Sequence, residues 1–465
     1  MQIQPLTSSP SIRPQASAGA SQAEEGDRIA VGERPQELTR VTLGQLAARH
    51  GKDLFGILDE ALGAVRAAPL SELDEERLAR LSHEIPKVDL HRHLEGSIEP
   101  EVLISVAKKH GLPLPAYTVE ELRPHIQITP TDKTLLDFLK KFEPIGPVFK
   151  DREVIADLTY GAIGDANKDN VKYLELRYSP QYMAKAHNLD LEDVVKGVFE
   201  GVQRAADDFD TKVSLTLIVE RWDSHERARE VADLAARHQD KGIVALDLAN
   251  DEYNFPPGPF AQIFQDAKKA GLKITVHSGE AGPADNVRVS IEKLGADRIG
   301  HGVRTYQDPA VEQLAVQTQT PFELCPTSNV QTQSIENLES HPLKRYYDAG
   351  IPTLINTDDP SISGITLSGE VALVSKQFGF SLNDIQKMQQ YGVTHGFTSE
   401  ENKRELAATI DSGFEKASRS LVESLTVDEL RELALKGVDA GPGTEAEKSA
   451  RRQQIERELK FLVQE

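Results

Sequence analysis

Eight short apolar segments alternate with helical patterns along the chain, and this alternation constrains the fold more than any other feature. Between the segments, stretches such as 191–207 and 224–238 carry apolar residues at three- and four-residue spacing. Strands that alternate with helices favour a parallel sheet, and eight such units predict an α/β fold, a (β/α)8 TIM barrel. The predicted strands are residues 87–91, 171–178, 213–219, 243–248, 272–277, 297–300, 321–325 and 352–356.

The predicted barrel occupies residues 85–420, and the chain continues on both sides of it. Residues 1–37 are rich in Ser, Ala, Gln and Pro and lack periodicity, which predicts a disordered N-terminal tail. Residues 38–84 show helical spacing and are interpreted as an N-terminal helical extension. Residues 421–465 are interpreted as a C-terminal helical appendage. Its last helix, 445–463, is predicted to be solvated rather than an oligomer contact, and the oligomeric state stays open.

The connection after the first predicted strand, residues 94–170, is far longer than the others. A connection of this length is usually a lid or a binding insertion. Within it, Leu135, Phe138, Leu139 and Phe142 form an apolar stripe. The favoured interpretation of the stripe is helix core, and the alternative is a hydrophobic wall over the pocket. The sequence therefore predicts a helical insertion after the first strand.

Charge and cysteine content limit the partners and the location of this chain. The 465 residues include 53 Lys and Arg against 74 Asp and Glu, a formal net charge of -21. This balance disfavours nucleic acid, because phosphate binding needs a basic surface. The single cysteine, Cys325, excludes an internal disulfide framework and fits a reducing cytoplasm. Neither a membrane span nor a secretory signal is recognised, so we expect a cytoplasmic protein without a nucleic-acid or membrane partner.

Several predicted strands end in a histidine or a carboxylate. His91 and His93 close the first strand as an i, i+2 pair that points to one side, His277 closes the fifth, His301 the sixth, and Asp358 follows the eighth. In a (β/α)8 barrel, the carboxyl ends of the strands converge on one mouth, where catalytic residues lie. Three imidazoles and a carboxylate suit one Zn²⁺ with a position left for water, and iron or cobalt suits the same set.

Two further carboxyl groups lie beside these candidate ligands. Glu280 follows His277 by three residues in a Gly-containing turn, where it can face a water on the metal without binding the metal. Asp358 and Asp359 are adjacent, so they cannot both point the same way along an extended chain. One is expected to bind the metal and the other to accept a hydrogen bond from substrate. The alternative is that Asp359-Pro360 only marks a turn.

Four blocks contain these residues: His91-Arg92-His93-Leu94-Glu95-Gly96, His277-Ser278-Gly279-Glu280, Arg298-Ile299-Gly300-His301-Gly302-Val303 and Asn356-Thr357-Asp358-Asp359-Pro360. In this order they resemble the motif set of the adenosine deaminase family, mononuclear members of the amidohydrolase superfamily. The similarity runs from about residue 87 to residue 397. A His-x-His pair is unspecific, but the complete set is highly specific.

The resemblance implies a role for each of these residues. One Zn²⁺ per chain is implied, and it would lower the pKa of a bound water. Its implied ligands are His91, His93, His277 and Asp358. Glu280 would act as general acid and donate a proton to N1 of the purine. His301 would orient the attacking hydroxide and stabilise charge, and Asp358 would help to accept its proton.

The resemblance also implies how the substrate is held. Asp359 would form a hydrogen bond with purine N7, and Gly279 would let its loop run close to the ligand. The residues that match the lid helix of the family are Leu135, Phe138 and Phe142, which strengthens the interpretation of this stripe as a wall over the pocket.

Two residues depart from the family pattern. Glu95 stands where members that act on nucleosides often have Asp, which binds the ribose 5′-hydroxyl. Glu at this place is seen in relatives that act on adenine or on modified adenine nucleosides. Asn250 stands where the family usually has Gly, whose backbone N–H meets purine N3. Asn250 can still donate from its backbone, although its side chain adds bulk near the pocket.

The expected function is zinc-dependent hydrolysis of a cyclic amidine C–N bond, which converts adenosine and 2′-deoxyadenosine to inosine and ammonia in purine salvage. The partner is then a small-molecule purine nucleoside or base. The nearest alternative, motivated by Glu95, is a deaminase of adenine or of a modified 6-aminopurine nucleoside. A more remote alternative is a non-catalytic purine-binding barrel protein. The end of the fourth strand offers no lysine that could bridge two metals, so one metal is expected.

Overall fold

Eight parallel strands pair in chain order and form the predicted (β/α)8 barrel. The computed structural model describes residues 42–50, 56, 58–129, 131–132 and 135–464, and the predicted disordered tail 1–37 lies outside these residues. The strands are β1 Lys87–His93, β2 Val171–Tyr178, β3 Lys212–Glu220, β4 Ile243–Ala249, β5 Lys273–Ser278, β6 Arg298–His301, β7 Phe322–Leu324 and β8 Thr353–Ile355.

The barrel closes through the backbone of the residues that the sequence marks as metal ligands. The backbone N–H of Asp358, just beyond β8, donates to the carbonyl of His91 at 2.8 Å, and the N–H of His93 donates to the carbonyl of Asp358 at 2.8 Å. Arg92 and Asp358 therefore pair as in a parallel sheet. This places β1 and β8 side by side and brings their carboxyl ends to the same mouth.

Helices cover the outside of the barrel, and each connection after β1 to β8 supplies at least one of them. In chain order, the α-helices of these connections are Pro100–His110, Val119–Ile126, Leu135–Lys140, Arg152–Lys168, Pro180–Lys185, Leu191–Asp208, His225–Arg237, Ala261–Lys269, Ala284–Val289, Pro309–Thr318, Pro326–Gln331, Leu343–Ala349, Pro360–Ser363, Leu367–Phe378, Leu382–His395 and Glu400–Glu423. None of the described helices is both long and apolar enough to cross a membrane.

The insertion after β1 is helical, as the sequence predicts. Three helices, Pro100–His110, Val119–Ile126 and Leu135–Lys140, precede Arg152–Lys168, which packs on the barrel. The apolar stripe of the insertion is not one continuous helix face, because the helix that begins at Leu135 ends at Lys140. Phe142 lies in the turns that follow and is half-buried.

The helices before and after the barrel pack against each other rather than forming two separate additions. The helix Asp59–Ala67 contacts both Val427–Ala440 and Glu445–Gln464. A Cβ atom at Gly437 would lie 1.8 Å from the carbonyl oxygen of Ala64, so only glycine allows this approach. The last helix is also partly packed and not merely solvated. Its side chains Ile455, Glu458 and Leu459 are buried, and the Glu458 carboxylate accepts a hydrogen bond from Ala61 N–H at 3.1 Å.

Candidate metal centre and active site

Four side chains predicted as metal ligands converge at the carboxyl end of the barrel. His93 Nε2 lies 3.2 Å from His277 Nε2 and 3.1 Å from Asp358 Oδ1. His91 Nε2 lies 3.2 Å from the same carboxylate oxygen, and the rings of His91 and His277 have centroids 4.5 Å apart. Residues that are far apart in sequence thus present three ring nitrogens and one oxygen to a common point.

Hydrogen bonds on the far side of two imidazoles determine which nitrogen faces this point. His91 Nδ1 lies 2.8 Å from Glu323 Oε2, and His277 Nδ1 lies 3.0 Å from Asp247 Oδ2. A carboxylate accepts only, so each Nδ1 carries the proton and each Nε2 presents a lone pair. His91 Nε2 is buried without a hydrogen-bond partner. Burial also lowers the pKa of His277, to about 3, so its ring is neutral.

This arrangement fits a metal ion. In a tetrahedral site with metal–nitrogen bonds of about 2.0–2.1 Å, neighbouring ligand atoms are about 3.3 Å apart, close to the separations found here. The bare nitrogens of His91 and His277 lie in one buried cluster with the Asp358 carboxylate, and such lone pairs repel unless a cation lies between them. The cluster therefore indicates a metal ion. Because it combines neutral imidazoles with one carboxylate, its chemistry suits a borderline metal rather than Mg²⁺ or Ca²⁺.

Asp358 is held at the centre of this cluster by a strained backbone and by a second hydrogen bond. Its φ of 65° lies in the left-handed region, which non-glycine residues seldom adopt outside functional sites. Its Oδ2 accepts from Ser328 Oγ at 2.7 Å. Burial by itself would raise the pKa of Asp358, but the neighbouring imidazoles of His91 and His93 outweigh it and lower the pKa well below the usual value.

Asp359 lies next to the ligand cluster, with a carboxylate oxygen within 4.8 Å of the ligand atoms of His93 and Asp358, but it has the opposite electrostatic character. Its Oδ1 is buried and has no hydrogen-bond partner. Burial, together with the negative charge of Asp358, raises the pKa of Asp359 well above its usual value. A Cβ at Gly96 would lie 1.8 Å from this oxygen, so Gly96 is needed for Asp359 to occupy its place. The two adjacent aspartates therefore differ in surroundings, as the sequence predicts.

Glu280 lies beside His301 near the candidate metal position, on a loop that a buried carboxylate organises. Glu252 accepts hydrogen bonds from the backbone N–H groups of residues 279–282, at distances of 2.7–3.0 Å. Gly279 has a φ of 67°, and a Cβ there would lie 2.6 Å from Val287. Burial raises the pKa of the Glu280 carboxyl, and the negative charge of Asp358 adds to this effect.

His301 is the residue that connects Glu280 with the ligand cluster. Its Nε2 lies 3.6 Å from Glu280 Oε2 and 4.0 Å from Asp358 Oδ2. Its φ of 62° is again in the left-handed region. On the other side of the ring, Nδ1 lies 2.9 Å from Asn329 Nδ2. His301 therefore lies between the candidate acid and the candidate metal, and one of its ring nitrogens is within 4.8 Å of the ligand atoms of His91, His277 and Asp358.

The predicted substrate-binding residues lie in different surroundings. Glu95 is buried and accepts a hydrogen bond from Ser179 N–H at 2.8 Å, and burial, with a smaller contribution from Glu220, raises its pKa to about 8. Asn250 has a φ of 78°, which explains how it occupies a turn suited to Gly, and its side chain is exposed rather than buried in the pocket.

The lid residues are only partly described. Phe138 is buried, and its ring centroid lies 6.1 Å from that of Phe142. Phe142 also contacts Tyr182, whose hydroxyl donates to the Phe142 carbonyl at 2.7 Å. The helix that carries Leu135 is present, but its side chain lies outside the described part of the chain. The two phenylalanines thus belong to one aromatic cluster. This packing is compatible with both interpretations of the stripe, a hydrophobic wall over the pocket and helix core.

Sequence reasoning missed a set of charged residues beneath the candidate ligands. Arg177 donates to Asp247 Oδ2 and to Glu323 Oε2, each at 2.8 Å, so one guanidinium joins the carboxylates that hold His277 and His91. All three charged side chains are buried. The sequence signal that could have found them is a single acidic residue inside the otherwise apolar strands β4 and β7; β2 carries Lys172 and Glu175 besides Arg177 and gives a weaker signal.

Comparison with known proteins agrees with this geometry. The family described as Adenosine deaminase matches residues 86–413. The adenosine deaminase of Shewanella denitrificans is 38% identical over 324 residues, which cover 70% of this chain and 98% of the relative. The chain belongs to the adenosine deaminase family. The predicted family membership is therefore confirmed, and with it the expectation of a deaminase enzyme rather than a binding protein on the same barrel.

Solved structures with the same fold include deaminases of other purines. The adenine deaminase of Arthrobacter aurescens has a TM-score of 0.66 and 28% identity, covering 71% of this chain and 99% of that one. The N6-methyl-AMP deaminase of Arabidopsis thaliana has a TM-score of 0.63 and 25% identity, covering 72% and 98%. The relatives and neighbours named here are thus deaminases of adenosine, of adenine and of N6-methyl-AMP.

Proposed function

We propose that this protein catalyses the zinc-dependent hydrolytic deamination of adenosine and 2′-deoxyadenosine to inosine and ammonia. The observation that carries the proposal is the convergence of His91, His93, His277 and Asp358 at one point with the buried acid Glu280 beside it. The similarity to adenosine deaminases over most of the chain supports the substrate.

Zinc is the proposed metal because three imidazoles and one carboxylate match its preferred donors, and because zinc can expand from four to five ligands to accept a water. We propose His91, His93, His277 and Asp358 as the residues that hold it. When bound, zinc acts as a Lewis acid and lowers the pKa of a water molecule to near neutrality.

The chain's own acids complete the chemistry. Because the pKa of Glu280 is raised, its carboxyl group remains protonated more readily and can donate to purine N1, which makes C6 more electrophilic. Asp359 has a raised pKa and an unpartnered oxygen, so it can donate to the N7 lone pair and orient the base. Asp358 is ionised, because its pKa is lowered, and its carboxylate can therefore accept the proton that the attacking water loses.

Deamination of adenine or of a modified 6-aminopurine nucleoside is the second candidate, and Glu95 favours it. A longer carboxyl group stands where the family often has Asp, and its high pKa makes it a neutral hydrogen-bond donor at neutral pH. A neutral Glu95 does not exclude a ribose hydroxyl. The substrate-binding roles of Glu95, Asn250, Gly279, Asp359 and the lid residues all belong to this proposal.

The test is the loss of substrate absorbance when zinc-loaded protein is mixed with adenosine, 2′-deoxyadenosine, adenine or N6-methyladenosine in parallel. We expect the highest kcat/KM with adenosine. If adenine or the methylated nucleoside is turned over faster, the proposed substrate is wrong but the proposed hydrolytic reaction at C6 is kept. If none of the four is converted to its 6-oxopurine product, with release of ammonia or, from N6-methyladenosine, of methylamine, while zinc is bound, the proposal is refuted.

The general acid is tested by Glu280→Gln, which keeps the shape of the side chain and removes its proton. We expect unchanged zinc content and a loss of kcat of at least about a hundredfold, the usual contribution of a positioned acid. Glu292→Gln, at an exposed site of the same connection, is the matched control and should keep full activity. Substantial turnover by Glu280→Gln contradicts the assignment.

A further inference from the structure

A side-chain amide behind His301 connects it to another buried histidine. Asn329 Nδ2 lies 2.9 Å from His301 Nδ1, and Asn329 Oδ1 lies 3.2 Å from His341 Nε2. The backbone N–H of Leu343 donates to His341 Nδ1 at 3.2 Å. Asn329 and His341 are both buried, and neither belongs to the metal cluster or contacts Glu280 in the structure described.

The direction of every hydrogen bond in this chain of contacts follows from its fixed end. The Leu343 backbone N–H can only donate, so His341 Nδ1 is an acceptor and its proton resides on Nε2. His341 Nε2–H then donates to Asn329, which must present its oxygen to His341 and its NH2 group to His301. Burial lowers the pKa of His341 to about 3, so its ring is neutral at neutral pH and only one of its two nitrogens carries a proton.

The reverse orientation of the Asn329 amide is not compatible with these contacts. If the amide were turned round, its NH2 group would face His341 Nε2, which would then have to be an acceptor. Both nitrogens of His341 would be acceptors, and a neutral imidazole has only one. The backbone of Leu343 therefore determines the orientation of the Asn329 amide.

The consequence lies at the other end, on His301. Its Nδ1 accepts from the Asn329 NH2 group, so a neutral His301 carries its proton on Nε2, the nitrogen that faces Glu280 and Asp358. We propose that Asn329 and His341 are positioning residues that hold His301 as a neutral Nε2–H donor toward the reacting oxygen. This inference rests on the proposed deamination. It assigns proton acceptance to Asp358, because a neutral His301 in this tautomer has no lone pair on the side of the substrate.

The tautomer is measured directly by long-range proton–nitrogen correlation spectra of zinc-loaded protein with isotope-labelled histidine rings. In the wild type we expect a bare Nδ1 and a protonated Nε2 on His301, assigned from the signals that are lost in His301→Gln. Asn329→Asp is nearly isosteric and turns the donor into an acceptor. We expect it to move the His301 proton to Nδ1 or to protonate both nitrogens.

Turnover adds a second readout to the same variants. We expect Asn329→Asp to lower kcat by about a hundredfold or more, with a much smaller change in KM, because orientation of a reacting group acts in the transition state. His341→Gln keeps an N–H donor near the position of Nε2 and should retain most of the activity, whereas His341→Phe removes the donor and should not. His238→Gln is the matched control, since His238 is also buried but pairs with Glu192, far from the site.

The outcomes separate this inference from the proposed function. A protonated Nδ1 on His301 in the wild type, or ring signals that Asn329→Asp leaves unchanged, overturns the inference whether or not adenosine is a substrate. An equal loss of kcat in His341→Gln and His341→Phe also overturns the inference, because only the Gln variant keeps an N–H group that can donate to Asn329. If the spectra agree but adenosine is not deaminated, the positioning stands and the proposed substrate is wrong.

Discussion

The buried guanidinium of Arg177 offers a direct test of how the candidate ligands are held. Arg177 donates to Asp247 and Glu323 at 2.8 Å each and to the carbonyl of Leu90 at 2.7 Å. Its side chain is 1% exposed, and those of both carboxylate partners are fully buried. Arg177→Met keeps an apolar stem of similar length and removes the charge, so two buried carboxylates lose their shared cation.

The expected cost follows from burial rather than from distance. Removing one partner of a buried ion pair destabilises a protein by about 3–5 kcal/mol, because a charge remains without compensation. The matched control is Arg204→Met, since Arg204 pairs with Asp157 at 2.7 Å but its side chain is 48% exposed. A pair in water contributes about 0–1 kcal/mol. Although the ion pairs of Arg177 and Arg204 have nearly equal lengths, their loss should lower the free energy of unfolding by amounts that differ several-fold.

The assay is urea unfolding of both variants and of the wild type in metal-free form, which removes the contribution of bound metal to stability. Zinc affinity is measured separately by competition with a chelator. We expect Arg177→Met to weaken zinc binding by about 10–100-fold, the usual effect of losing a group that orients metal ligands. Equal free energies of unfolding for the two variants would refute the burial argument, and unchanged zinc affinity would refute the role of Arg177 in holding His91 and His277.

Three further changes test other parts of the site and of the fold. Glu252→Gln should lower kcat by about tenfold without altering zinc content. The carboxylate accepts hydrogen bonds from the N–H groups of residues 279–282 through two oxygens, whereas the amide has only one acceptor oxygen and an NH2 group that cannot accept. Steady-state kinetics and metal analysis check this. Asp358→Asn should keep the barrel folded, since Asn tolerates positive φ and the backbone bonds remain, yet lose zinc affinity; circular dichroism and metal analysis distinguish the two effects. Asp157, whose pKa is lowered to about 2 by hydrogen bonds from neighbouring cations that outweigh its desolvation, stabilises the fold above pH 4, and this contribution disappears as the pH falls toward 2. Asp157→Asn should therefore narrow the difference in unfolding free energy between pH 6 and pH 3 by about 1 kcal/mol, allowing for solvent screening of the exposed cations that pair with Asp157.

The order of the elements was predictable because each barrel strand is buried on both faces. Such strands read as continuous apolar runs, and the predicted strand Val171–Tyr178 has the bounds found in the structure. The positions of His91, His277 and Asp358 were equally predictable, since parallel strands share one carboxyl end. Boundaries were less accurate where strands are short: β7 contains only Phe322–Leu324, and Pro321 and Cys325, which were predicted to belong to it, lie just outside the strand.

The contacts between side chains could not be predicted in this way. Nothing in the local pattern indicates that Glu323 of β7 faces His91 of β1, because that contact depends on the stagger of strands across the barrel interior. The packing of Val427–Ala440 on Asp59–Ala67 depends equally on where two distant segments leave the barrel. His341 gave no signal at all, since its importance arises from the backbone N–H of Leu343.

The two strained residues of the site show how fold and chemistry are joined. His301 and Asp358 both adopt left-handed backbone conformations that cost about 1–3 kcal/mol each for a non-glycine residue. At Asp358 the backbone N–H and carbonyl in this conformation close the barrel through His91 and His93. The hydrogen bonds that complete the ring therefore hold the strained residue in place, and its side chain is directed at the cluster. A change that relaxed this backbone would open the barrel, so the metal position is maintained by the stability of the whole fold.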